Sequence, residues 1–122
     1  MDGTMANVLL LVDDLFFQMK ILETAKHLGV SVKAVTQPDA LLAEAQREAP
    51  ALVIVDLNAK AGGVEAVERL RAAGIERPVV AFLSHVQVDL AERARAAGCS
   101  EVMPRSKFTQ NLAAILSQAK EQ

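Results

Sequence analysis

Two aspartates, Asp13 and Asp14, close one apolar run, and a third, Asp56, closes another. The first run is Val8-Leu9-Leu10-Leu11-Val12 and the second is Leu52-Val53-Ile54-Val55. Each reads as a short buried strand, rich in leucine and β-branched residues, that ends abruptly in acid. In an open α/β sheet the strand ends converge on a crevice where ligands bind. Three carboxylates meeting there repel one another and raise each other's pKa unless a cation joins them. An all-oxygen acidic pocket suits a hard divalent ion such as Mg2+. The chemistry on offer is therefore metal-assisted work at a carboxylate.

Each acid also has a simpler reading. Asp14 can cap the helix that follows, because Asp accepts hydrogen bonds from free first-turn amides. Asp56 can be an ordinary loop acid after a strand. The adjacent pair, with a third acid at the end of a separate strand, favours a metal or phosphoryl site over three unrelated caps.

The elements that must hold these acids alternate regularly. Strands are predicted at Asn7–Val12, Val32–Val35, Leu52–Asp56, Pro78–Leu83 and Glu101–Met103, and helices at Leu15–Leu28, Asp39–Glu48, Val64–Ala73, Val88–Ala97 and Thr109–Lys120. In the first helix Phe17, Ile21, Ala25 and Leu28 form one core-facing stripe, and Gly29 sits where a left-handed stop belongs. Repeated βα units imply a doubly wound α/β fold with a parallel sheet, right-handed crossovers and helices on both faces. The first and third strands, the most apolar, belong in the centre, and the second and fifth nearer the edges. One domain over residues 1–122, with its core over about 6–120, accounts for the whole sequence.

Composition narrows the function. The chain is 52% hydrophobic and 23% charged, with a formal net charge of -2, which suits a globular protein. The basic stripe of a nucleic-acid binder is missing. With no Trp or Tyr and four Phe there is no aromatic platform for single strands either. No run approaches the roughly 18 apolar residues that span a bilayer, and Met1-Asp2-Gly3-Thr4 lacks the basic start of a signal peptide. The single Cys99 fits a reducing compartment and reads as a small buried thiol, not a nucleophile. The expectation is a cytoplasmic protein with neither nucleic acid nor membrane as partner.

The loop after the first strand, Asp13-Asp14-Leu15-Phe16, has no glycine and the wrong charge for cradling a nucleotide phosphate. Gly62-Gly63 after the third strand is weak evidence for anything beyond a turn. At this point the chain resembles the bacterial two-component response-regulator receiver domain. The resemblance rests on Leu11-Val12-Asp13-Asp14, Val53-Ile54-Val55-Asp56-Leu57, Phe82-Leu83-Ser84 and Ala96-Ala97-Gly98-Cys99, in order and near family spacing. It implies a five-stranded (βα)5, flavodoxin-like sheet of order 2-1-3-4-5. It further implies that Asp56 is the phospho-acceptor, supplied by a histidine kinase, a phosphotransfer protein or a small phosphodonor. Mg2+ would be held by Asp13, Asp14, Asp56 and the backbone carbonyl of Asn58. Ser84 would bind the phosphoryl group, and Arg105 falls where the family carries lysine. The output partner would dock on the face of the fourth helix, last strand and last helix, with Arg93, Glu101 and Gln110 as exposed candidates.

Several residues depart from that pattern. Arginine keeps the charge at position 105 but presents a planar fork, which is not a conservative change. Ser106 replaces the usual proline, whose cis bond would cost a non-proline residue about 2.5–4 kcal/mol. The loop after Asp56 is short and carries Lys60 where proline is usual; Lys60 and Lys107 otherwise read as surface charges. His85 stands where a small residue is usual, as a solvated loop residue, a ring narrowing access, or a phosphate contact when protonated. Val102 replaces the aromatic that many receivers flip on activation. Three functions compete. The first is a stand-alone receiver that relays signal by binding a partner and is not an enzyme. The second is a pseudo-receiver, an interaction module working without phosphorylation. The third, a small hydrolase using Asp56 as nucleophile, lacks a second acid where Asn58 stands.

Overall fold

The computed structural model describes residues 6–84 and 87–120. Five parallel strands run β1 (Val8–Leu11), β2 (Val32–Val35), β3 (Leu52–Asp56), β4 (Val79–Leu83) and β5 (Glu101–Pro104). Their order is β2-β1-β3-β4-β5, the expected doubly wound topology. Side chains alternate across a strand, and here each face of the sheet is apolar. Val8, Leu10, Ile54 and Phe82 enter one core layer, while Leu9, Leu11, Val53 and Val55 enter the other. β1, β3 and β4 are buried throughout, and the strands of mixed composition, β2 and β5, form the edges.

Helices cover both faces. α1 (Leu15–Leu28) contributes Phe17, Ile21 and Ala25 to the first layer, as its stripe predicts, and ends at Gly29 with φ 75°. α2 (Pro38–Glu48), α3 (Gly63–Ala72) and α4 (Val88–Ala97) close the second layer. No described helix is long and apolar enough to cross a membrane. Cys99 is half-buried, not fully buried as expected, and burial pushes its thiol up to about 11, so it stays protonated at neutral pH.

The last helix departs from the sequence expectation. It does not begin at Thr109: α5 (Arg105–Gln110) starts directly after Pro104, and α6 (Leu112–Lys120) follows after a break at Asn111. Sparse apolar residues over 105–107 hide this helix from a periodicity reading, although Phe108 and Leu112 are buried one turn apart. The break has a local cause. Asn111 donates both its side-chain amide, at 2.8 Å, and its backbone amide, at 3.1 Å, to the Lys107 carbonyl, a local side-chain bond that loosens helix geometry there. Among the described residues every peptide bond is trans, including the one joining Arg105 to Ser106.

The glycine pair does more than turn the chain. Gly62 has φ 98°, and α3 starts so close to the end of β3 that Gly63 has no room for a side chain. A Cβ there would lie 2.7 Å from the Asp56 carbonyl oxygen and 2.8 Å from the Leu57 Cα. Both neighbours are backbone and cannot swing away, so Gly63→Ala must displace the loop behind Asp56. The expected cost is about 1–3 kcal/mol, in the range of overpacked interiors. A lowered denaturant midpoint would report it, with unchanged stability as the contrary result.

Candidate phosphoryl and metal site

Register brings the expected residues together. Leu11 pairs with Val55 across β1 and β3, so Asp13 and Asp14 emerge beside Asp56. Asp56 pairs with Phe82 on β4, so Ser84 emerges beside Asn58. All these loops leave the carboxyl edge of the sheet.

Each acid has a distinct environment. Asp56 is 3% exposed, while Asp13 lies in the open. Burial raises the Asp56 pKa above its ordinary value. The Asn58 amide, donating to Oδ1 at 2.8 Å, and the Arg105 charge work against that, and the charges of Asp13 and Asp14 reinforce it. Asp14 is the N-cap of α1: its Oδ1 accepts from the Phe17 amide at 3.2 Å. That bond first, and Arg105 second, hold its carboxyl below the ordinary value. Asp14 is thus a helix cap, as its simpler reading expects, and it also stands paired with Arg105 beside Asp56. Asp13 Oδ2 accepts from the Lys60 amide at 2.9 Å, so Lys60 enters the site through its backbone.

Arg105 reaches across these acids. Its Nη1 lies 3.2 Å from Asp14 Oδ2, and its Nη2 lies 3.7 Å from Asp56 Oδ2. The guanidinium carbon sits 4.3 Å from the centre of the Phe17 ring and 5.6 Å from that of Phe82. Such stacking contributes about 0.5–2 kcal/mol, depending on desolvation. Among the described residues no three His, Cys, Asp or Glu side chains stand close enough to enclose a metal ion. The donor types nevertheless suit a hard divalent cation: carboxylate oxygens on Asp13, Asp14 and Asp56, and the Asn58 carbonyl.

Sequence reasoning missed two side chains and a surface. The helical stripe places Phe17 in the core, and its ring also carries the arginine. The side chain of Asn58 is a brace: its Oδ1 accepts from the Ser84 amide at 2.7 Å and hydroxyl at 3.1 Å, and its Nδ2 donates to Gln87 at 2.9 Å. Leu15, Phe16 and Met19 are exposed at the start of α1, and Phe16 is 88% exposed. An apolar residue directly after an N-cap acid was the available signal for that surface. His85 lies outside the described residues.

Comparison with known proteins bears on the family and the fold. The family described as response regulator receiver domain matches residues 9–117. No curated protein matches in sequence. Among solved structures, chemotaxis response regulator CheY4 of Vibrio cholerae aligns with TM-score 0.80 and 21% identity, over 95% of this chain and 99% of that one. The receiver domain of NtrX from Brucella abortus aligns with TM-score 0.79 and 19% identity, over 94% and 98%. The CheY-like receiver protein of Methanospirillum hungatei JF-1 aligns with TM-score 0.77 and 13% identity, over 97% and 98%.

The brace is open to a direct test. Asn58→Ala removes the acceptor of the Ser84 amide, so hydrogen exchange at Ser84 should accelerate about tenfold, the worth of one such bond. Exchange at Val55 in the middle of β3 should not change. An unaltered Ser84 rate would show that the brace is not formed in solution.

Proposed function

This chain belongs to the response-regulator receiver family of two-component signalling, and we propose that it accepts a phosphoryl group on Asp56 with Mg2+ and signals through protein contacts. The observation that carries the reading is the position of Asp56, a buried carboxylate at the end of β3 with its Oδ1 tethered and its Oδ2 facing a cation. In the transfer, Asp56 Oδ2 attacks phosphorus and an O–P bond forms. The donor's P–N or P–O bond breaks, and its electron pair leaves with the donor. Asp13, Asp14, Asp56 and the Asn58 carbonyl would hold Mg2+, which supplies neutralising charge to the phosphoryl oxygens. Arg105 and the Ser84 hydroxyl donate to the same oxygens. The protein is thus a stoichiometric acceptor, not an enzyme in the usual sense, and a cytoplasmic setting suits it.

Donor and output partner would meet different surfaces. A histidine kinase or phosphotransfer protein must reach Asp56, and the exposed Leu15, Phe16 and Met19 offer it apolar footing beside Asp14. For output, Leu83, Val88, Ala91, Val102 and Pro104 line an apolar groove between α4 and β5, with Arg95 at its edge. Arg93, Glu101 and Gln110 are exposed, but Arg93 turns towards Glu65 of α3, 3.7 Å away, and none of the three lines the groove. A protein segment with an apolar anchor and a carboxylate for Arg95 fits this groove. Ser84 and Gln87, both bonded to Asn58, connect the groove to the acceptor loop by direct contact.

One observation favours the pseudo-receiver reading: Arg105 already faces both Asp14 and Asp56, so part of the site's negative charge is balanced without metal or phosphate. A single experiment separates the two. Acetyl phosphate with Mg2+ should add one labile phosphoryl group to the protein and none to Asp56→Asn. Beryllofluoride should shift the amides of Ser84, Gln87, Val102 and Met103. No mass gain and no shifts would establish the phosphorylation-independent module instead.

A further inference from the structure

The guanidinium of Arg105 is held by more than its two acids. Its central carbon lies over the Phe17 ring, 4.3 Å from the ring centre, and Phe17 is itself edge-on to Phe82 at 5.2 Å and tilted against Phe108 at 5.9 Å. Phe82 and Phe108 stack at 4.6 Å, so the arginine rests on a rigid three-ring platform. Its Nε is buried without a hydrogen-bond partner among the described residues, a cost that the stacked position must outweigh. Arg105 also starts α5, where the helix dipole disfavours a cation. A residue held in place against both penalties is a fixed counter-charge, unlike a flexible ammonium that can leave freely.

We propose that Arg105, seated on Phe17, is the resident counter-cation of the acidic cluster, and that Mg2+ gains Asp14 and Asp56 only when the guanidinium leaves that seat. The proposal rests on the phosphoryl-acceptor reading and adds a gate to it. Phe17 is the positioning residue: it touches neither metal nor phosphate and acts through the arginine. Arg105 and the metal compete for Asp14 Oδ2 and Asp56 Oδ2, so each weakens the other by the same factor. Once released, Arg105 is free to meet the phosphoryl oxygens with its two parallel donors. The acceptor is then uncovered and supplied with its metal in the same movement.

Amide-shift titrations with Mg2+ on the wild type, Phe17→Leu and Arg105→Gln test this, together with the Arg105 Nε–H resonance. In the wild type that resonance should be displaced by the Phe17 ring current and move towards the free-arginine position as Mg2+ saturates. Phe17→Leu keeps the charge but removes the seat, so it should bind Mg2+ about fivefold more tightly or better. Arg105→Gln should gain at least as much. Melting curves for both variants report whether the fold is intact, and Arg105→Gln leaves the aromatic core untouched. Tighter binding in Arg105→Gln with none in Phe17→Leu would reduce the effect to bare charge and overturn the seat. Equal affinity in all three proteins, or an Arg105 resonance that stays on the ring at saturation, would overturn the gate alone. No Mg2+ response in any of them would overturn the phosphoryl-acceptor reading and the gate with it.

Discussion

The site turns on one unfavourable act, the burial of the Asp56 carboxylate at the end of the central strand β3. An ionised carboxylate out of water is costly unless it is paired and hydrogen-bonded. The chain meets that cost from two sides, with the Asn58 amide on Oδ1 and the Arg105 guanidinium facing Oδ2. The compensation is incomplete, since burial still raises the pKa. The penalty is therefore full above that raised pKa and fades as the pH falls through it towards the unfolded value. Asp14 behaves oppositely. Its lowered pKa contributes stability at neutral pH, lost as the pH falls through its folded value. Adjacent acids thus impose opposite pH dependences on one small domain.

That tension makes the site responsive. A carboxylate short of compensation gains from any extra positive charge, whether a metal ion or a nearer guanidinium. The Asn58 side chain ties Ser84 and Gln87 to the loop after Asp56, so the site and the start of α4 are in direct hydrogen-bonded contact. From there the apolar groove lined by Val102 and Pro104 is adjacent. Val102 offers no large ring to swing, and the contacts that join the two regions are the hydrogen bonds of Asn58 to Ser84 and Gln87.

The amino-acid sequence makes the sheet legible because buried parallel strands are short, continuous apolar runs, as at Leu52–Val55. It likewise places the acids, since strand ends and caps follow local rules. Asp14 caps α1 and at the same time pairs with Arg105, and no local rule shows that the two are compatible. The first turn of α5 is hidden in the sequence because Arg105-Ser106-Lys107 has no apolar period; the ion pairs of Arg105 and the burial of Phe108 hold it. The roles of Phe17 and the Asn58 side chain were illegible for a different reason. Their partners lie 88 and 26 positions away (Arg105 and Ser84), and only register brings them into contact. Gly63 belongs with them, because its need is set by the Asp56 carbonyl across the loop.

The central claim is that Asp56 is a buried, under-compensated carboxylate whose principal side-chain counter-charge is Arg105. Carboxyl-carbon NMR across a pH titration reads this directly, in the wild-type protein and in Arg105→Gln without metal. Asp56 should titrate above the ordinary aspartate value of about 3.9, and higher still once Arg105 is replaced. Titration at or below the ordinary value, unmoved by loss of the arginine, would contradict the account.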